Sequence, residues 1–354
     1  MVDGSPGARL RAARESAGVS QSRLAALAGV SRALVSSIEQ DRHVPAVDAA
    51  LRLAQAVGAS VEALFEIRRP IAAESALGER LPERRLVRAA TVGERIVCIP
   101  LDMEDAGMQW AAADGIIEHG ALALLPRGGV DGALILGCDP ALRTAAALSD
   151  GRGGTRVVGV SATTGQALRA LAGGRCHAAL VHGLAEQLPR APFPVRRWHV
   201  TRWQVGIGYH RKLGRTSLEA LMGGRIRMIR RHHSAASDQA LVRAARRLGI
   251  TPPAGPLARG HIDSARRANW EHGAAVTYGP AARGLRLRFE PLETHVVELW
   301  AADQWSAHPG ITEFLEVIGS RAFHARVGAM EGYDMAGSGI PISSTATADR
   351  EANR

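Results

Sequence analysis

The first 65 residues read as short stretches in which apolar side chains recur every three or four positions, the spacing of one helical face. On that face lie Leu10 and Ala13 within 8–18, Leu24 and Leu27 within 19–29, and Leu34 and Ile38 within 30–39. Ser20 and Ser31 stand where N-caps belong, and Gly18 and Gly29 where helices stop. A fourth helix is expected after Pro45, burying Ala50, Leu53 and Val57, and a fifth carries Val61, Leu64 and Phe65. Five small helices with short connections predict a helix-turn-helix domain over 1–67. Leu24, Ala28, Val30, Val35 and Ile38 read as its core, and Glu39 as an internal cap or ion-pair partner.

The pattern then changes. Residues 68–90 are charged, interrupted by prolines and without apolar periodicity, and are expected to be a linker, partly helical around 71–77. Beyond it, short apolar runs end at Gly, Ser or Thr and lead into helical stretches. Runs at 96–100 and 122–125 predict strands of a small intervening unit. Strands at 133–138, 156–160 and 177–181, with helices at 139–148 and 163–171 between them, predict an α/β domain with a mainly parallel sheet. A second α/β lobe, about 200–288, follows with strands at 203–209, 225–230 and 274–278 and helices at 217–222, 234–248 and 262–271. The chain is expected to return through strands at 286–293 and 296–300 and a helix from 311 to about 321. The sensor-like domain spans 91–340, and the Ser/Thr/Ala-rich residues 341–354 read as a disordered tail.

Composition narrows the function classes. The chain has 354 residues, 46% hydrophobic and 4% aromatic, with a formal charge of +10. Lys212 is the only lysine, so the charge is almost all arginine, and only +2 of it falls in residues 1–69. Bulk charge therefore says little about nucleic acid, and the sequence pattern has to carry that argument. No run is long and apolar enough to cross a bilayer and the N-terminus carries no signal-peptide pattern, which predicts a soluble cytoplasmic protein without a membrane partner. Cys98, Cys138 and Cys176 lie far apart with no CxxC pair and read as buried thiols rather than a disulfide framework or zinc site.

The string from Gly18 to Glu39 closely resembles the helix-turn-helix of Xre/Cro-type repressors, and the likeness extends to Phe65. The resemblance implies that the helix beginning at Ser31 lies in the major groove and presents Arg32, Ala33, Ser36 and Ser37 to base edges. It also implies that Gln21 contacts phosphate, with Arg42 and His43 as further loop contacts or simply solvated residues. One such domain offers few phosphate contacts, so a homodimer on double-stranded operator DNA is expected.

The two following lobes resemble the type II periplasmic-binding-protein fold, in the molybdate-binding-protein-like version fused behind helix-turn-helix domains. The segments that carry this likeness are 137–142, 163–168, 176–183, 202–208, 261–277 and 332–334. In such open sheets ligands bind beyond the carboxyl ends of strands, at helix N-termini. That places Cys138, Asp139, Thr163, Thr164, His182, His233, Ser234, Ser237 and Tyr278 as candidate effector contacts. The expected ligand is an oxyanion or a small polar metabolite. Ser234 to Asp238 replaces the family's glycine-rich turn and sets a carboxylate where an arginine is expected, which weakens the oxyanion assignment. Asp139 before Pro140 reads either as an N-cap or as a cleft carboxylate, and Thr163 and Thr164 either as caps or as contacts. Trp203 and Trp270 are the candidates for stacking on an organic ligand.

Neither metal nor cofactor is expected. His177 and His182 are five apart on a strand and face opposite ways, as do the adjacent His232 and His233. No nucleophile elbow, Walker loop, dinucleotide fingerprint or zinc-protease motif occurs, so the chain is not expected to be an enzyme. The overall expectation is a one-component regulator with a ligand-sensing domain. The alternatives are a constitutive repressor whose second domain is a ligand-free dimerisation scaffold, and a DNA-tethered enzyme.

Overall fold

The computed structural model describes residues 5–65, 71–101, 112–125, 127–150 and 154–342. It divides into two units, Met1–Pro70 and Ile71–Arg354. The first is all helical: α1 Pro6–Ser16, α2 Gln21–Ala28, α3 Arg32–Glu39, α4 Val47–Ala56 and α5 Val61–Phe65. Ser5, Ser20 and Ser31 cap the first three through their side chains. Gly29 ends α2 in the left-handed conformation, at φ 62°, which a glycine adopts without strain. Leu10, Leu24, Val35, Ile38, Leu53 and Leu64 form the core. A side chain at Gly7 would put its Cβ 2.2 Å from the carbonyl oxygen of Ile38, so α1 can approach the end of α3 only with glycine there. Leu27, read as inward-facing, is half exposed because Leu24 and Ala28 already fill the buried stripe of α2.

The second unit starts before the sequence pattern suggested. From Ile71 onward the expected linker is part of a sheet: Ile71 bridges Leu122, β1 (Glu74–Ser75) pairs with β3 (Arg95–Pro100), and β2 (Leu86–Val92) lies beside β3. With β4 (Gly115–Glu118) and β5 (Ala121–Leu124) they form a five-stranded sheet in the order β1-β3-β2-β4-β5. The helix considered at 71–77 is absent. Charge and prolines disguised these strands, which are short and alternate only weakly. Residues 66–70 lie outside the described residues.

A nine-stranded mixed sheet forms the body of this unit. The first lobe supplies β6 (Ala133–Gly137), β7 (Val157–Ser161) and β8 (Ala178–Gly183), all parallel, with α6 (Ala141–Asp150) and α7 (Thr164–Ala172) following β6 and β7. The second supplies β10 (Met228–Arg231), β11 (Leu257–Ala258) and β12 (Ala274–Tyr278), again parallel, with α8 (Leu218–Met222), α9 (Ala236–Arg247), α10 (His261–Trp270) and α11 (Gly279–Gly284).

Two 15-residue antiparallel strands, β9 (Val195–Tyr209) and β13 (Arg288–Ala302), run through both lobes and join them. The return was expected as two strands. It is one strand with register shifts at Pro291/Glu293 and Val297/Glu298, and the bulge at Pro291 absorbs the missing N–H. Opposite it, a Cβ on Gly206 would fall 2.1 Å from the Glu290 carbonyl oxygen, which accounts for a glycine inside a central strand.

β6 is buried on both faces, and its side chains alternate between two cores. Ile135 points to the core holding Trp198, Val205, Leu299 and Phe314, whereas Leu134 and Leu136 point to that of Val160, Leu171 and Trp300. Ile207, Leu221, Met228, Leu241 and Val276 make the core of the second lobe.

The helix expected at 311–321 is α12 (Pro309–Ile318), which stops at Gly319, and a second helix that was not expected, α13 (Arg321–Gly328), follows with Ser320 as its cap. Of the expected tail, Pro341–Ile342 forms β14 against β9, and 343–354 lie outside the described residues. Among the described residues no helix is long and apolar enough to cross a membrane.

Candidate functional site: a recognition helix and a buried polar cluster

In the helical unit, α3 turns Val35, Ile38 and Glu39 inward and leaves Arg32 and Ala33 exposed, with Ser36 and Ser37 half buried beside them. Ser31 is exposed, but its hydroxyl accepts from the Leu34 N–H at 3.1 Å as the N-cap, and Ser36 accepts from the Gln40 amide. Arg42 follows Asp41, which has φ 54°, in the exposed loop beyond α3. Gln21 opens α2, but its side-chain amide donates inward to Glu39 at 2.8 Å. The Gln21 side chain is therefore engaged within the domain rather than free to reach a phosphate. Glu39 is fully enclosed and accepts from two of the three Arg14 nitrogens, at 2.6 and 3.2 Å. Burial pushes its carboxyl up, but Arg14 and Gln21 outweigh that and hold it below the usual range. It is the internal ion-pair partner the sequence suggested, and it fixes α1, α2 and α3 together.

In the second unit five helices, α6, α7, α9, α10 and α11, start just beyond the carboxyl ends of parallel strands. Cys138, Asp139, His182 and Tyr278 come together there in one buried cluster with residues the sequence did not single out: Arg231, His261, His295 and Tyr333. Trp203, considered above as a stacking residue, is buried in the same cluster and packs edge-on against Tyr278 and His261. The Asp139 carboxylate makes a cap bond and is also tied into this cluster. One carboxylate oxygen accepts from the Ala141 N–H at 2.9 Å, as a cap does, and from the Tyr333 hydroxyl at 2.7 Å. The other accepts from the Trp203 indole at 2.9 Å. Burial raises its pKa against those three bonds.

Tyr278 is reached by the Tyr333 hydroxyl at 3.2 Å, and burial raises both phenols. The Cys138 thiol is pushed up to about 12 by burial, and burial holds His182 and His261 well below the ordinary histidine value. Both rings are thus neutral at pH 7.

Other candidates separate. Thr163 is a cap: its hydroxyl accepts from the Gln166 N–H while Gln166 reaches back to the Thr163 N–H, a reciprocal capping box. Thr164, the first residue of α7, is buried and its hydroxyl has no partner among the described residues. Ser237, in the first turn of α9, is in the same condition. His233 is exposed and stacks on His232, and half-buried Ser234 bonds the His232 ring at 2.7 Å. Ser234 nevertheless lies at the meeting of the lobes, since a Cβ on Gly165 would come 3.5 Å from its own.

Asp238 does not face the cluster as a free carboxylate. It holds Arg230 through two bonds, at 2.8 and 2.6 Å, so the carboxylate of the altered turn is paired with a guanidinium. Trp270 is 87% exposed at the end of α10, away from any stacking role in the cluster. His177 packs against Trp305 and His308, on the other side of β8 from His182, as the alternation requires.

Arg231 dominates the electrostatics. It is 1% exposed, one terminal nitrogen donates to the Ala258 carbonyl at 2.8 Å, and its Nε has no partner. Among the described residues no carboxylate lies within ion-pair distance of its guanidinium, and burial lowers its pKa against a weaker opposing pull from Cys138, Asp263 and Asp238 farther off. A buried charge in that condition is costly unless something answers it. His261 Nδ1, Thr164 Oγ1 and Ser237 Oγ are likewise buried without partners. Four unfilled polar positions at or next to helix N-termini, one of them cationic, can take a small anion.

A family model described as a helix-turn-helix domain matches residues 7–66, and one described as a PBP superfamily domain matches 145–319. Among solved structures, the restriction-modification controller protein C.AhdI from Aeromonas hydrophila is 35% identical over 17% of this chain and 91% of its own, at a TM-score of 0.17. The P22 c2 repressor in complex with a synthetic operator is 28% identical over 18% of this chain and 96% of its own, at 0.18. The regulatory domain of MetR, a LysR family regulator from N. meningitidis, is 11% identical over 57% of this chain and 96% of its own, at 0.42. No curated protein sequence matches.

Proposed function

From an N-terminal unit that belongs to the Xre/Cro-type helix-turn-helix family and a second unit of the periplasmic-binding-protein class, we propose a one-component bacterial transcription regulator whose second unit binds a small anionic effector. The reading is carried by Arg231, a buried guanidinium with no carboxylate at ion-pair distance, close enough to the buried ring of His261, itself unpartnered at Nδ1, to depress that ring's pKa. A carboxylate or oxyanion supplies the missing acceptors and the missing charge together. Because Thr164 comes from the first lobe and Arg231, Ser237 and His261 from the second, an anion held by groups of both lobes favours one lobe arrangement over another. A difference in affinity between two arrangements is what an effector needs to alter operator binding.

The protein acts as a homodimer on double-stranded operator DNA in the cytoplasm, with Arg32, Ala33, Ser36 and Ser37 reading bases and Arg42 and the start of α2 touching phosphate. It performs no catalysis. The ligand-free scaffold keeps one argument, namely that Asp139, Trp203, Tyr278 and Tyr333 already satisfy one another.

A thermal-shift screen of the full chain against molybdate, sulfate, phosphate and small carboxylates separates the readings. An anion at about 100 times its dissociation constant adds roughly 2.7 kcal/mol, several degrees in melting temperature. The shift is expected for wild type and absent in Arg231→Met. No shift with any anion moves the assignment to the scaffold.

A further inference from the structure

We propose that Cys138, His182 and His261 form a binding site for a thiophilic monovalent metal ion of the Cu(I) class, seated between the lobes beside Arg231. The three residues come from three different strand ends, yet one ligand atom from each lies within 4.8 Å of the other two. Cys138 Sγ and His261 Nε2 are 3.9 Å apart. Sulfur and nitrogen on one metal, at about 2.3 and 2.0 Å, are separated by roughly 3.6 Å, so a shift of a few tenths of an ångström closes the pair.

A chain of hydrogen bonds prepares His182 for this role. Glu293 is clamped by Arg243 at 2.8 and 2.7 Å and is therefore a fixed acceptor. It contacts His295 Nε2 at 3.2 Å, which puts the His295 proton on that nitrogen and leaves its Nδ1 as an acceptor. His295 Nδ1 lies 3.0 Å from His182 Nδ1, so His182 carries its proton there and presents Nε2 as a bare lone pair. A carboxylate orienting a ligand ring through hydrogen bonds is the outer support that metal-bound histidines require.

Two features select the ion. Sulfur and two imidazoles with no carboxylate among them suit a soft ion, and three ligands complete the shell of Cu(I), whereas structural Zn(II) takes four. The neighbouring guanidinium sets the charge. Cu(I) on the Cys138 thiolate is neutral overall, with the thiol proton released, while Zn(II) adds a further positive charge beside Arg231. Metal on His261 Nε2 also places that ring's proton on the buried, unpartnered Nδ1 and turns it into a donor. The proposal shares Arg231 and His261 with the anion site but does not depend on it.

The test uses reduced full-length protein without oxygen, with Cu(I) supplied as its bicinchoninate complex. One ion per chain is expected to transfer, and X-ray absorption at the copper edge is expected to show one sulfur and two nitrogens. Cys138→Ala and His182→Gln are each expected to weaken retention roughly 100-fold or more, with Cys176→Ala unchanged and circular dichroism confirming folding. Failure of wild type to take copper from the competitor, a shell without sulfur, or displacement by equimolar Zn(II) each overturns the proposal. The absorption measurement needs no variant, so it decides even if Cys138→Ala unfolds. An anion-induced thermal shift of metal-free protein stands or falls separately.

Discussion

The helical unit and the sheet unit treat buried charge in opposite ways. In the first, the enclosed carboxylate of Glu39 is answered by Arg14 and Gln21, and among the described residues every buried side-chain atom without a partner belongs to the second unit. There, Arg231, His261, Thr164 and Ser237 keep unfilled valences at the meeting of two lobes. A unit that only presents a helix to DNA gains from complete internal satisfaction. A unit that has to respond to something keeps polar groups whose partner comes from outside.

Acidification should separate the two most strongly. His182 and His261 are depressed by burial, so below about pH 6.5 the unfolded chain binds protons that the folded chain refuses. Their stabilisation is complete above that pH and falls by about 1.4 kcal/mol per pH unit for each ring as the pH drops. Asp139, raised by burial, takes up its proton at a higher pH in the folded chain than in the unfolded one and so offsets part of this loss. Glu39, held low, keeps its contribution until the pH falls below about 4.5. Thermal unfolding followed at pH 7 and pH 5 is expected to show the sheet unit losing several degrees while the helical unit holds. Equal losses would contradict the contrast.

Arg14→Ala strands Glu39 and should cost the helical unit about 3 kcal/mol, read by helical circular dichroism. Arg231→Met should do the reverse in the sheet unit, raising its stability by about 2 kcal/mol because an unanswered charge is replaced by apolar volume. A destabilised Arg231→Met protein would show that the guanidinium already has what it needs. Arg32→Ala should leave melting unchanged within about 0.5 kcal/mol and weaken operator binding by about 1–3 kcal/mol. Thr163→Ala should cost about 1 kcal/mol and leave anion-induced shifts in place, as a cap rather than a contact.

The helical unit was almost wholly legible in the sequence because its determinants are local: caps at Ser20 and Ser31, a stop at Gly29, an apolar stripe every three or four residues. Leu27 was misplaced because a helical stripe of three residues per two turns does not say which edge position stays outside. The sheet unit's strands and helices were legible with shifted ends, while 71–90 and the single long β13 were not, since pairing partners far along the chain decide them. The buried cluster was half visible. Cys138, Asp139, His182 and Tyr278 follow from the rule about strand ends. Arg231 and His261 obey the same rule but were passed over, because the strand was ended at Arg230 and the two-residue strand Leu257–Ala258 was not read as one, while His295 lies inside β13 and meets His182 only through strand pairing. Judging histidines by local spacing separated His177 from His182, and it had no means of bringing His182 to His261.

The most direct measurement of the central claim is an operator titration of the full-length protein with and without whichever anion raises its melting temperature. The account predicts an affinity change of about fivefold or more in wild type and none in Arg231→Met. Coincident curves for wild type at a saturating anion concentration would contradict it.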